Sequence, residues 1–314
     1  MANDPSALTA ETIDDIRIPT RGGQVMRVGP AVSLYHARPR TAETTAAVAH
    51  ALQLFLDLAG PHIRFAGIDG QHLLPISQTD PAALPAFVTQ QDPARGFGLH
   101  LHGGADRDDA HPLYFRCLLP AAWNPQPMTY VSMGLTMARQ MTEGLPPLTH
   151  WTADAAARFG AWHGSAGFAL TAHGAWSHGK AVMADVASVL DRFPGLDYPA
   201  QGAALHVVRE GPVAANWITL LADDLADRIG GAAKVAEVIT GFGGQVRPWA
   251  GGLSLIAAGA PQIGDTEQGM TAESYTIPGR LIASLRGAPD AAYFPGAAGR
   301  DMIAFGKDWR ARFD

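Results

Sequence analysis

The sequence predicts an α+β fold, organised as two α+β units whose mainly antiparallel sheets are flanked by helices. Three observations lead there. Three short apolar segments, 96–104, 112–120 and 128–136, follow one another at the spacing of an antiparallel meander. Helical and strand-like patterns are mixed in similar proportion on both sides of residue 150. Between them EGLPPLTHW (143–151) interrupts the pattern with a proline pair. A chain of 314 residues suits two compact units better than one. They are expected at 31–145 and 150–292, after an N-terminal extension (1–30) and before a C-terminal tail (293–314).

The extension offers one strand candidate, QVMRV, and AVSLYHA (31–37) alternates as a strand does. Residues 41–59 form a helix: Thr41 can cap it, Val48, Leu52, Phe55 and Leu56 share a face, and Gly60-Pro61 stops it. HIRFAGI reads as a strand, and Asp80-Pro81 opens a further helix before the meander. Beyond the break, TADAAARFGAWHG gives a helix and GFALTAHG (167–174) a strand. A helix over 179–193 and a strand at AALHVVREG follow. NWITLLADDLADRIGG (216–231) reads as one long helix, with Trp217, Leu220, Leu221 and Leu225 on its buried face. QVRPWAGGLSLIAAG is a hairpin turning at 250–252, and Pro278 should kink or restart the helix TAESYTIPGRLIASLR. GFGLHLHG (96–103) and GFALTAHG share five of eight residues, which raises the prospect of an internal duplication.

Composition narrows the function. With 47% hydrophobic and 17% charged residues the chain is an ordinary globular protein. A net charge of −6 disfavours a sequence-independent grip on nucleic acid or an anionic membrane and suits a basic protein partner. The single cysteine, Cys117, cannot form an internal disulfide. No leader-like apolar region or membrane-length stretch is read in the sequence, so a cytoplasmic protein is expected.

Several segments imitate catalytic motifs. GAWSHGKA (174–181) has the frame of a phosphate-binding loop, yet Ala181 lacks the hydroxyl that holds the metal and Trp176 obstructs close approach; a strand–helix turn explains it. In HLHGG (100–104), His100 and His102 share a strand face, which admits a metal site, and His-Gly-Gly resembles an esterase oxyanion loop. The nearest serine elbow, HGSAG (163–167), has His163 in place of the first glycine and precedes a strand. No cofactor or metal is expected. Carboxylates gather at Asp106, Asp108 and Asp109, at Asp223, Asp224 and Asp227, and at Asp265 with Glu267.

The C-terminal third carries a resemblance. Asn216-Trp217, Gly230-Gly231, Gly251-Gly252, Gly264-Asp265 and Tyr275 stand where they do in the type VI secretion immunity family directed against VRR-type nuclease effectors, which this segment of about seventy residues resembles. Read by themselves these residues are scaffold: a cap, an anchor and turn glycines. The resemblance implies a non-enzymatic protein that binds a cognate secreted toxin, most simply a nuclease, and blocks it. Its contacts are expected at Asp106, Asp108, Asp109, Asp265 and Glu267, with Trp249 as an aromatic contact. The competing functions are a metal-dependent or serine hydrolase built on HLHGG, and a scaffold or oligomerisation module.

Overall fold

Residues 25–30, grouped by the sequence pattern with an N-terminal extension, instead begin the central strand of the fold, β2 (Val25–His36). The computed structural model describes residues 17–19, 25–69, 73–76, 80–136, 147–171, 179–199, 204–287, 292–294, 296–297 and 299–314. Strand β1 (Arg17–Pro19) pairs with β2. The remaining strands are β3 (Phe65–Ile68), β4 (Leu74–Pro75), β5 (Phe97–His102), β6 (Tyr114–Leu119), β7 (Thr129–Gly134), β8 (His163–Thr171), β9 (Ile218–Ala222), β10 (Gln245–Trp249) and β11 (Gly252–Ile256). They form one sheet in the order β10-β11-β9-β8-β2-β7-β6-β5-β3-β4, and every ladder between named strands is antiparallel. The fold is α+β, as the meander implied. Strand β2 pairs with β7 on one side and β8 on the other, so strands from 31–145 and 150–292 meet in a continuous sheet.

Pro30 in the middle of β2 is tolerated for a local reason. In a strand each residue's N–H and C=O point to the same side. The Pro30 carbonyl accepts from Leu135 N, just beyond the β7 ladder that starts at Ala31 and Gly134. The missing N–H therefore lies on the β7 side and removes no bond to β8.

Helices cover both faces. One core packs α1 (Ala42–Ala59), α2 (Leu84–Thr89) and α3 (Leu148–Phe159) on the sheet through Val48, Leu52, Phe55 and Trp151 against Leu34, Leu101, Phe115 and Met133. Thr41 and Thr44 cap α1 reciprocally, and Gly60 ends it at φ 43°. A second core places α4 (Gly179–Arg192), the single turn α5 (Leu205–Val208) and α9 (Met302–Arg310) over Val28, Phe168 and Leu170. The third holds α6 (Asp223–Arg228), α7 (Gly231–Gly241) and α8 (Thr276–Ile282) around Leu221, Leu255, Tyr275 and Phe313.

Three expectations are corrected. Residues 216–231 are not one helix but strand β9 followed by α6. Ile218–Leu221 are buried throughout because β9 is an inner strand covered on both faces, so the apolar run shows no strand alternation. The segment AALHVVREG gives α5, a helical turn rather than a strand. HGSAG does not precede a strand; it is the first half of β8. The two echoing octapeptides take unlike places, one in β5 between β3 and β6, the other in β8 between β2 and β9.

Candidate partner-binding surface

The histidines of HLHGG are already committed. His102 is 1% exposed and stacks on Phe65 with ring centroids 5.1 Å apart. Its Nδ1 accepts from Gly104 N at 3.0 Å, which leaves Nε2 as the protonated nitrogen, donating to the Arg107 carbonyl at 3.3 Å. Burial pulls its pKa down to about 4, so the ring is neutral. Neither nitrogen is left for a metal, and among the described residues no group of three or more His, Cys, Asp or Glu side chains is arranged to hold one.

The serine of HGSAG is equally engaged. Ser165 Oγ donates to Asp197 at 2.5 Å, while His163 Nε2 donates to the Val208 carbonyl at 2.5 Å and the ring stacks on Tyr35. A serine esterase needs the opposite wiring, with the histidine accepting from the hydroxyl. Neither His102 nor Ser165 is placed as the hydrolase alternative requires. Most of GAWSHGKA lies outside the described residues; its last three begin α4. The Cys117 thiol is buried, and burial pushes its pKa up to about 12, far from a reactive thiolate.

The expected partner contacts divide into buried and exposed groups. Asp109 is not a free loop side chain: it accepts from Ala105 N and pairs with Arg27 at 3.3 Å, both side chains largely buried. Asp106 turns the same loop by accepting from Asp108 N, yet both Asp106 and Asp108 are exposed. Asp265 does not reach solvent. It is 1% exposed, with its two oxygens held by Arg192 at 3.1 and 2.9 Å, and it caps a short 3-10 turn through Glu267 N. The Arg192 hydrogen bonds hold its pKa below the usual carboxylate value. Glu267, also paired with Arg192, remains 66% exposed. Trp249 is not an open aromatic either, since its ring packs on the first core and over Gly252. The structure does not gather these groups: the 105–109 loop is tied to the start of β2, and the 265–268 turn to the last turn of α4.

Sequence patterns did not point to the exposed aromatics. Trp123 is 75% exposed with its indole donating to Ala94 O, and Phe242 is 65% exposed just after α7. Each stands alone among small or polar neighbours, so no periodicity marks it; the only signal was an aromatic inside a turn.

A model of the family described as type VI immunity for VRR-NUC, TsiV, matches residues 47–313. The chain belongs to this family. The fold is also that of a solved Pseudomonas aeruginosa T6SS protein, PA0821, at 17% identity and TM-score 0.81, covering 98% of this chain and 89% of that one. No curated protein matches. Among the described residues, no helix is long and apolar enough to cross a membrane.

Within the family frame, the residues that carried the resemblance are structural, though not always as expected. Asn216 is not a helix cap. It is 1% exposed, accepts from Trp217 N, and donates to Phe168 O on β8. Gly230 and Gly231, at φ 108° and 84°, do turn the chain, from α6 into α7. Ala250 and Gly251 form the β10–β11 turn. Gly264, at φ 67°, leads into the turn capped by Asp265, and Tyr275 OH bonds both backbone groups of Gln262.

Trp217 bridges the first and third cores and ties its indole to Gly259 O at 2.9 Å. Its replacement by alanine is expected to cost about 2–3 kcal/mol, below the full value for a buried tryptophan because the ring is only partly buried. Denaturant melts read this directly. An unchanged midpoint with lost partner binding would place Trp217 in an interface instead.

Proposed function

We propose that this chain binds a VRR-type nuclease effector and blocks it by contact alone, without chemistry of its own. The match of the immunity family over residues 47–313 carries this reading. Two features support it: a net charge of −6 suits a partner whose basic surface holds nucleic acid, and the side chains that resemble catalytic motifs are engaged in the fold. The cytoplasm, where the effector would meet DNA, is its place of action. Co-expression of chain and effector tests the role through survival and co-purification; a nuclease that stays active in the presence of stoichiometric chain refutes it.

Recognition is at least partly electrostatic, through the exposed carboxylates Asp106, Asp108 and Glu267. Complementary charge acts mainly on association and fades with salt. The double change Asp106→Asn and Asp108→Asn is expected to slow association about three- to tenfold at low salt and little at high salt. Equal rates at both salts would remove this loop from the interface. Asp265→Asn belongs to a different class, since it loosens the tie between a buried carboxylate and the half-exposed Arg192 and shows first as lost stability.

A further inference from the structure

Where α7 ends and α8 begins, the surface opens into a groove of about 280 Å³. Ile239, Phe242, Ile256, Ile277 and Pro278 give it an apolar lining, and Phe242 at its edge is 65% exposed. Among the described residues that line it, Glu273 is the only charged one and is itself exposed.

A large exposed aromatic leaves apolar area in water. An occupant that is apolar in the middle and carries a positive charge at the end would cover Phe242 and pair with Glu273. The volume lies just under the range of small-molecule sites, roughly 300–1,000 Å³, which favours one or two protein side chains over a cofactor. An aromatic anchor on a partly enclosed apolar pocket is the composition of an interface hot spot.

We propose that this groove receives an apolar side chain of the nuclease effector flanked by a lysine or arginine, the cation pairing with Glu273. This rests on the immunity reading, and charge selects the occupant. A nuclease that holds polyanionic DNA carries basic residues, while this chain is acidic overall and places one carboxylate at the groove. A second copy docked groove to groove would set Glu273 against Glu273, like charge on like.

The test uses the full chain and the catalytically inactivated effector, with affinity measured by calorimetry at two salt concentrations. Phe242→Ala and Glu273→Lys alter exposed side chains, so melting temperatures are expected to stay at the wild-type value. Affinity is expected to fall about tenfold or more for each, consistent with loss of a hot-spot residue. Only the Glu273→Lys loss shrinks at high salt. Wild-type affinity in both folded variants overturns the groove proposal and leaves the immunity reading intact. A wild-type chain that does not bind the effector at all sinks that reading, and the groove with it. A wild-type dimer that Phe242→Ala turns into monomers, with effector affinity unchanged, makes the groove a self-association site and also overturns the proposal.

Discussion

Acidification from pH 7 to pH 5 is expected to remove about 5 kcal/mol of stability through three buried histidines. His36, His102 and His163 are 4%, 1% and 1% exposed, and burial pulls the pKa of each down to about 4. Arg38 adds to the depression at His36. His102 faces Arg116 and His111, which lower its pKa, and Asp109, which raises it; the Val208 carbonyl partly offsets burial at His163. In the unfolded chain the same rings titrate near 6.5. Between these values the unfolded state binds more protons, so stability is fully present above about pH 6.5. It falls as pH drops through the window and levels off below about pH 4. Each group contributes close to 1.4 kcal/mol per pH unit mid-window, and three together approach the whole stability of an ordinary domain by pH 5. Thermal melts from pH 7.5 to 4.5 should show the midpoint dropping steeply below pH 6.5. Replacing His102 by Gln, which keeps a donor and an acceptor, should flatten the curve by about one proton. A midpoint insensitive to pH over this range would mean that the rings are hydrated or already charged in the folded protein.

The parts of the fold legible in the sequence are those where one face meets water. Helix α1 announces itself through Thr41, the periodic Val48, Leu52 and Phe55, and Gly60. The meander β5–β7 was legible from its turn spacing alone, because its strands are short and evenly punctuated. Strand β9 was misread since burial on both faces removes alternation, and the helix that begins at Asp223 completes an apparent helical period across the junction. Gly29-Pro30 splits β2 into QVMRV and AVSLYHA in the sequence; the pair is harmless only because of which side Pro30 faces, a tertiary fact. The acidic residues show the same limit. Asp265 and Glu267 are two positions apart, chemically alike and both paired with Arg192, seventy-three residues upstream of Asp265, yet one is buried and the other open.

Gly167→Ala is expected to destabilise the protein by more than about 3 kcal/mol, and its loss to be sub-additive with that of Asn216→Ala. Gly167 sits within β8, opposite Ala31 of β2, at φ 155°, a conformation that L side chains rarely adopt. Near this pair β8 changes company: Ala166 joins the first core, while Phe168 and Leu170 join the second. A Cβ at 167 would stand 2.8 Å from Asn216 Cγ and closer still to its Oδ1. The carboxamide cannot simply swing away, because it holds Trp217 N and Phe168 O and is 1% exposed. The penalty therefore has two parts, backbone strain that belongs to residue 167 alone and overlap that needs both residues. Asn216→Ala by itself leaves the Trp217 amide without its acceptor and should cost about 1–3 kcal/mol. In the double variant the overlap is gone and the strain remains, so the combined loss should fall short of the sum of the single losses by about 1–2 kcal/mol. Urea unfolding of the two single variants and the double variant measures this coupling. Strict additivity would show that Asn216 supports β9 without fitting against Gly167, and a negligible effect of Gly167→Ala would show that the strand can relax around an added methyl.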